Sequence, residues 1–234
     1  MQLPPSFSPQ GGWKETPHQR QERTIRRRQG TKLLASAANG DAAAIHALLN
    51  AYNIDPNYQD SYGHSALILA ARNGHCEAVQ RLLDTNADPN LQDSDGATAL
   101  IYAAAHGHAE VADRLLLMPN INANAQDNDG MTALMYAARN GRIGILKKLL
   151  LAKDADRNSQ DKRGLTALMH AATYVNAEPV QLLLQHGVDA SLTDNAGDRA
   201  SILAHRAGNK GIWHILRNAE RQQRPHDPDT DVGL

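Results

Sequence analysis

Short apolar runs return along the chain at a near-constant step. HSALILAA begins at His64, ATALIYAA at Ala97, MTALMYAA at Met131 and LTALMHAA at Leu165. Within one run, Leu100, Ala103 and Ala104 fall at i, i+3 and i+4, the stripe of a short helix. The Ser or Thr that opens each run (Ser65, Thr98, Thr132, Thr166) predicts an N-cap, because its oxygen can accept an otherwise unpaired backbone N–H. Gly74, Gly107, Gly141 and Gly208 follow the runs and predict helix ends that need positive φ. A second apolar stripe, seen at Val111 and Leu115, predicts a partner helix. It ends on paired leucines at 82–83, 115–116, 149–150 and 183–184. The polar D-x-N and D-x-x-G segments between these pairs have turn composition.

The turn glycines fix the period. Gly63, Gly96, Gly130, Gly164 and Gly197 are spaced by 33, 34, 34 and 33 residues, each three after an aspartate (Asp60, Asp93, Asp127, Asp161, Asp194). One such helix pair cannot bury both of its faces, whereas stacked copies can. In period, turn residues and apolar pattern the unit resembles the ankyrin repeat family, with DSYGHSALILAARNGHCEAVQRLL and DSDGATALIYAAAHGHAEVADRLL as the nearest copies. The resemblance covers about residues 31–216. It implies an all-α solenoid of about six helix-turn-helix units with short β-hairpin-like turns. The units run 31–59 (an N-terminal cap), 60–92, 93–126, 127–160, 161–193 and 194–216 (a C-terminal cap). A basic, mostly disordered arm over 1–29 and a disordered polar tail over 217–234 are expected to flank the domain of residues 30–216.

The family's T-P-L-H reads T-A-L-I or T-A-L-M here, with Ile68, Ile101, Met135 and Met169 in place of His. Family members use that His between repeats, so the expectation is that stacking relies on apolar contact. The fifth unit has Val175 where a glycine is due and carries Pro179, which suits a helix's first turn. Ser36 and His46 in the first unit, and Ser201, His205 and Arg217 in the last, are polar at apolar positions and predict water-facing caps.

Composition narrows the chemistry. Aromatics are 4% of the chain, so the core must come from Leu, Ala, Ile and Val. Cys76 is the single cysteine, which excludes an internal disulfide framework or a thiolate zinc site and fits a reducing, cytoplasmic setting. No apolar run suits a bilayer span and no apolar signal-peptide core opens the chain. The net charge of −1 divides into +4 over 1–29, −4 over 30–216 and −1 beyond. The Arg26–Arg28 run is read as a solvated helical lead into the first repeat with Ile25 touching its apolar end. A nucleic-acid contact, a targeting signal or an acidic-partner contact are the alternatives. His75 and His108 read as structural, and His106 with His108 lacks further ligands for a metal. Asp93 with Asp95, Asp127 with Asp129, and the asparagines Asn57, Asn90, Asn124 and Asn158 read as turn formers. No G-x-S-x-G, Walker A, H-E-x-x-H or G-x-G-x-x-G motif occurs, so no catalytic, cofactor or metal residues are assigned.

The resemblance implies recognition of a protein partner on a concave face of turn tips and inner helices. The variable positions of the unit then mark the candidate residues. From the tips come Tyr62, His64, Asp95, Asp129, Met131, Lys162, Arg163 and Leu165. From the inner helices come Leu69, Arg72, Asn73, Tyr102, His106, Tyr136, Arg139, Asn140, His170 and Tyr174. Tyr and Arg are the types that dominate interface hot spots. The expected function is a non-enzymatic, monomeric protein-interaction module with no cofactor and no membrane contact. The alternatives are a secreted bacterial effector acting in a host cytosol, and a nucleic-acid-linked regulator that uses the basic arm.

Overall fold

The computed structural model describes residues 16–52, 54–173 and 176–223, together with a two-residue antiparallel pair, β1 (Phe7–Ser8) and β2 (Gly12–Trp13). The other named elements are helices, joined by turns, and pair as the period predicts: α1 (Pro17–Ala38) with α2 (Ala42–Tyr52), α3 (Ala66–Arg72) with α4 (Cys76–Asp84), and α5 (Ala99–His106) with α6 (Ala109–Leu116). Then come α7 (Ala133–Arg139) with α8 (Ile143–Leu151), α9 (Ala167–Ala172) with α10 (Glu178–Gln185), and α11 (Ala200–Arg206) with α12 (Lys210–Gln223). The odd-numbered inner helices touch in order from α1 to α11, and the even-numbered outer helices touch in order from α2 to α12. This is a two-layer solenoid.

Local sequence sets the elements. Ser65, Thr98, Thr132 and Thr166 each accept the N–H three residues on, at 3.2–3.3 Å, as the N-cap reading requires. Gly107 ends α5 at φ +88°. Paired alanines at 70–71, 103–104, 137–138 and 171–172 are buried and let the inner helices approach closely. Leu33, Leu67, Leu100, Leu134 and Leu168 fill the layer between inner and outer helices along with Val79, Val111, Ile145 and Val180.

The stack is also bonded by polar groups, which corrects the expectation of apolar stacking alone. Gln59, Gln92, Gln126 and Gln160 each donate a side-chain N–H to a carbonyl of the next repeat, at Gln92, Gln126, Gln160 and Thr193. The distances are 2.8–3.1 Å. Asn57, Asn90, Asn124 and Asn158 accept the backbone N–H of Asp88, Asn122, Asp156 and Asp189, so these asparagines join repeats as well as shaping turns. His75 and His108 donate Nε2–H to the carbonyls of Ala38 and Arg72, each at 3.0 Å. Glycine makes this closeness possible. A Cβ on Gly63 would stand 2.8 Å from the Asp93 Cα, and one on Gly74 would stand 2.5 Å from the His108 ring. Both glycines also hold φ above +70°.

The ends depart from the expected boundaries. Residues 17–29, assigned to a mostly disordered arm, are the first part of α1, which fits the helical lead read at Arg26–Arg28, although Ile25 is 51% exposed rather than packed. Arg and Gln are good helix formers, so a charged run without apolar period still continues the helix. Residues 217–223, assigned to the tail, complete α12, where Leu216 and Glu220 are buried. The parts of those two segments at 1–6, 9–11, 14–15 and 224–234 lie outside the described residues, as does Val175. Ser201 does not face water: it is fully buried, and its hydroxyl has no hydrogen-bond partner.

The Leu134→Ala variant should lose about 2–5 kcal/mol of stability, because Leu134 is 5% exposed in a repeat flanked on both sides. Denaturant unfolding measures it; an unchanged midpoint would put Leu134 outside the core.

Candidate functional site

Each hairpin is built on one aspartate. Asp93 Oδ1 accepts the backbone N–H of Asp95 at 3.0 Å and of Ala97 at 2.9 Å. Asp60, Asp127, Asp161 and Asp194 do the same in their own hairpins, which bears out the turn-former reading. The second oxygen reaches the inner helix. Tyr102 donates its hydroxyl to Asp93 Oδ2 at 2.7 Å, Tyr136 donates to Asp127 at 2.8 Å, and His170 Nε2 meets Asp161 at 3.0 Å. Where Leu69 occupies this position, His64 faces Asp60 Oδ2 instead, at 3.3 Å.

These contacts set protonation. Burial, with the Asp93 carboxylate, pushes the Tyr102 phenol up to about 12. Burial and Asp127 move Tyr136 upward in the same way. Both therefore stay O–H donors across the physiological range. Burial outweighs the Asp161 carboxylate at His170 and holds that imidazole below its ordinary value, so it donates as a neutral ring. At Asp60 desolvation works upward, but the N–H groups of His64 and Tyr62 and the His64 ring outweigh it and hold the carboxyl low.

The predicted face is therefore only partly free. Met131 and His170 are buried, at 3% and 4% exposure, and cannot meet a partner: Met131 closes the hairpin and His170 braces it. Tyr102 and Tyr136 are half-buried with their hydroxyls held inside their own repeats. Asn73 and Asn140 are exposed, but each donates its amide to the preceding repeat, at Ala38 and Ala105. Tyr174 lies outside the described residues. Tyr62, Arg72, Asp95, His106, Asp129, Arg139, Lys162 and Arg163 are exposed, with His64, Leu69 and Leu165 half-buried beside them. The Arg72 guanidinium stands 5.6 Å from the Tyr102 ring centroid, and the His106 and His108 rings lie parallel at 6.1 Å. Arginine, tyrosine and paired imidazoles thus form one patch across two repeats.

Sequence reading missed two features. The aspartate-to-helix brace has a readable signal, the constant nine-residue step from Asp93 to Tyr102, Asp127 to Tyr136 and Asp161 to His170. The 34-residue spacings add a residue at the C-terminal ends of the outer helices α6 and α8. There Leu117 and Leu151 are 76% and 73% exposed beside a groove of about 880 Å³. No group of three or more metal-ligating side chains occurs among the described residues.

The family whose description is ankyrin repeats (3 copies) matches residues 17–93, 75–160 and 143–227. Cortactin-binding protein 2 of Ovis aries and of Mus musculus is 44% identical over 54 residues, 23% of this chain. The match spans only 3% of the length of those proteins. Among solved structures, the ankyrin repeat protein EF0377 is similar with a TM-score of 0.74 and 31% identity, over 79% of this chain and 96% of that one. The ankyrin repeat domain of Bcl-3, of the IkappaB protein family, gives 0.73 and 27% over 80% and 85%. A chain in the complex of the Bdellovibrio bacteriovorus predatory endopeptidase Bd0816 with immunity protein Bd3460 gives 0.68 and 29% over 80% and 96%.

Tyr102→Phe should cost about 1.5 kcal/mol, the worth of a hydrogen bond to a charged group, measured by denaturant unfolding. A change near zero would mean that water replaces the hydroxyl. His170→Tyr places the neighbouring repeats' solution in the fifth unit. Because the folded protein binds a proton at His170 less readily than the unfolded chain does, the wild type loses that stability as pH falls below the unfolded value of about 6.5. Melts at pH 7 and pH 5.5 should show a smaller acid loss for His170→Tyr than for wild type; equal losses would rule out His170 as the titrating group.

Proposed function

Given that the chain belongs to the ankyrin repeat family, we propose that it is a protein-interaction module with no catalytic step of its own. The partner lies along the exposed hairpin tips and inner helices. One observation carries this reading: the side chains left exposed at the variable positions differ from repeat to repeat and are of interface type. Tyr62, Arg72, His106, Arg139, Lys162 and Arg163 are outward, while the motif residues around them serve the stack. Arg and Tyr give large contact areas and strong hydrogen bonds at modest entropic cost. Asp95 and Asp129 at the middle tips, with Lys162 and Arg163 at the next, make the row acidic and then basic. A partner segment with the opposite order of charge fits that row.

The names of similar proteins support a binding role: one is a cortactin-binding protein, and another chain comes from an endopeptidase–immunity protein complex. No helix among the described residues is long and apolar enough to cross a membrane. The unpaired Cys76 suits a reducing compartment, and this reading assigns a monomer acting in the cytoplasm.

The test is affinity capture from native lysate with three forms of the full chain. Tyr62→Ala with Arg72→Ala should release the captured partner, since a central anchor is worth about 2 kcal/mol, roughly thirtyfold in affinity. Leu117→Ser with Leu151→Ser, at the ends of the outer helices, should retain it. The reverse pattern would move the binding site to the outer groove.

A further inference from the structure

Helix α1 is longer than the stack needs. Residues 17–28 are exposed throughout, and burial begins only at Gly30, Leu33, Leu34 and Ala37. At 1.5 Å per residue, roughly 18 Å of helix stands clear of the repeats. Its start is secured by a reciprocal cap: Thr16 Oγ1 accepts the Gln19 N–H at 3.2 Å, and Gln19 Oε1 accepts the Thr16 N–H at 2.9 Å. The Gly30 backbone lies against the Tyr58 ring, which a Cβ there would approach to 2.5 Å, and this contact marks where the helix leaves the stack.

The exposed stretch carries Arg20, Arg23, Arg26, Arg27 and Arg28 against one acid, Glu22. With 3.6 residues per turn, Arg20, Arg23 and Arg27 share one stripe, and Arg26 and Arg28 flank it. His18, Glu22 and Ile25 fall on the other side, where His18 Nδ1 and Glu22 Oε1 are 3.7 Å apart.

We propose that this arginine-faced helix docks on the phosphates of a nucleic-acid duplex. Arginine's planar fork matches phosphate oxygens two at a time. A single helix is about as wide as the major groove of duplex DNA, roughly 12 Å, and can lie in it or along its edge. Two other polyanionic partners fit less well. A membrane-surface helix needs an apolar face, and Ile25 is the only large aliphatic side chain over 17–28, set away from the arginines. A protein interface sets its arginines among buried aromatic or aliphatic anchors, and this stripe carries arginine without them. The repeat body, at −4 over residues 30–216, repels phosphate and confines the contact to the helix.

The experiment uses the full chain and a short fluorescein-labelled DNA duplex, with anisotropy read at several salt concentrations between roughly 50 and 200 mM. Wild type should bind with a log K against log salt slope of about −4, as expected when four or five phosphates are neutralised. Replacing Arg20, Arg26, Arg27 and Arg28 together by Gln should weaken binding at least tenfold at the lowest salt and bring the slope near −1. The same four positions changed to Lys should keep most of the affinity. Both variants should melt with wild type, since all four side chains are exposed. Duplex RNA in a parallel titration tells which duplex is preferred, and arginine-dependent binding of either supports the proposal. No binding by wild type, or a slope that the Gln variant leaves unchanged, overturns it. So does polyglutamate competing as well as DNA, which would indicate an acidic protein partner, or tighter binding to phosphatidylserine vesicles, which would indicate a membrane.

Discussion

The seam between neighbouring repeats governs this molecule. Two hairpins can bond across it only if their backbones come nearly into contact. That closeness is set by glycine at positions such as Gly63, where any side chain would strike the Asp93 backbone. With the gap closed, Ser94 N–H reaches the Tyr62 carbonyl at 2.9 Å, and Asn128 and Lys162 repeat the bond one unit further on at 2.8 and 2.9 Å. Glutamine and asparagine side chains then take up the remaining hairpin carbonyls and N–H groups. Each such bond is worth about 1 kcal/mol net, but leaving its partners buried and unmade costs more. Stability is thus distributed along the row of seams instead of being concentrated in one core.

Much of this was legible in the sequence because it is local and repeated. Thr98 before an apolar run, Gly107 after it and Asp93 three residues before Gly96 each declare a turn or helix end without reference to any other part of the chain. What stayed hidden depends on two repeats at once. Gln92 looks like an ordinary solvated turn residue until its amide is seen to span to Gln126, and the missing T-P-L-H histidine suggested an apolar seam for the same reason. The binding face was legible as a set of positions but not as a set of free side chains. Tyr102 and Asn140 are variable in the motif, yet one braces its own hairpin and the other holds the preceding repeat. At the ends, composition misled over how far order extends: the arm as a whole looks disordered, but the helix runs back from the Arg26–Arg28 lead to a start capped at Thr16.

The position shared by Leu69, Tyr102, Tyr136 and His170 shows how closely structure and recognition compete. All four sit on inner helices where a partner's contacts would begin. Three of them give their polar atom to a hairpin aspartate, which stiffens the tips that Asp95, Asp129 and Arg163 occupy. The proposed recognition surface is what remains after these internal duties are met. Its chemistry is carried by long charged side chains at the tips and by the Arg72–Tyr102–His106 patch, all mounted on rigid elements.

The glutamine row has a direction: every side chain from Gln59 to Gln160 points its amide toward the following unit, and the backbone carbonyls of Gln92, Gln126 and Gln160 accept from the preceding one. A unit built this way is complete with respect to its neighbours, like a tile whose left edge fits its own right edge. A copied unit inserted among the middle repeats would find matching donors and acceptors on both sides, with no new packing problem to solve. Insertion of a whole unit is therefore compatible with the bonding of the seams, and each would add one inner helix to the stack. At the two ends of the described stack the repeating pattern gives way to a long arginine helix on one side and the extended α12 on the other.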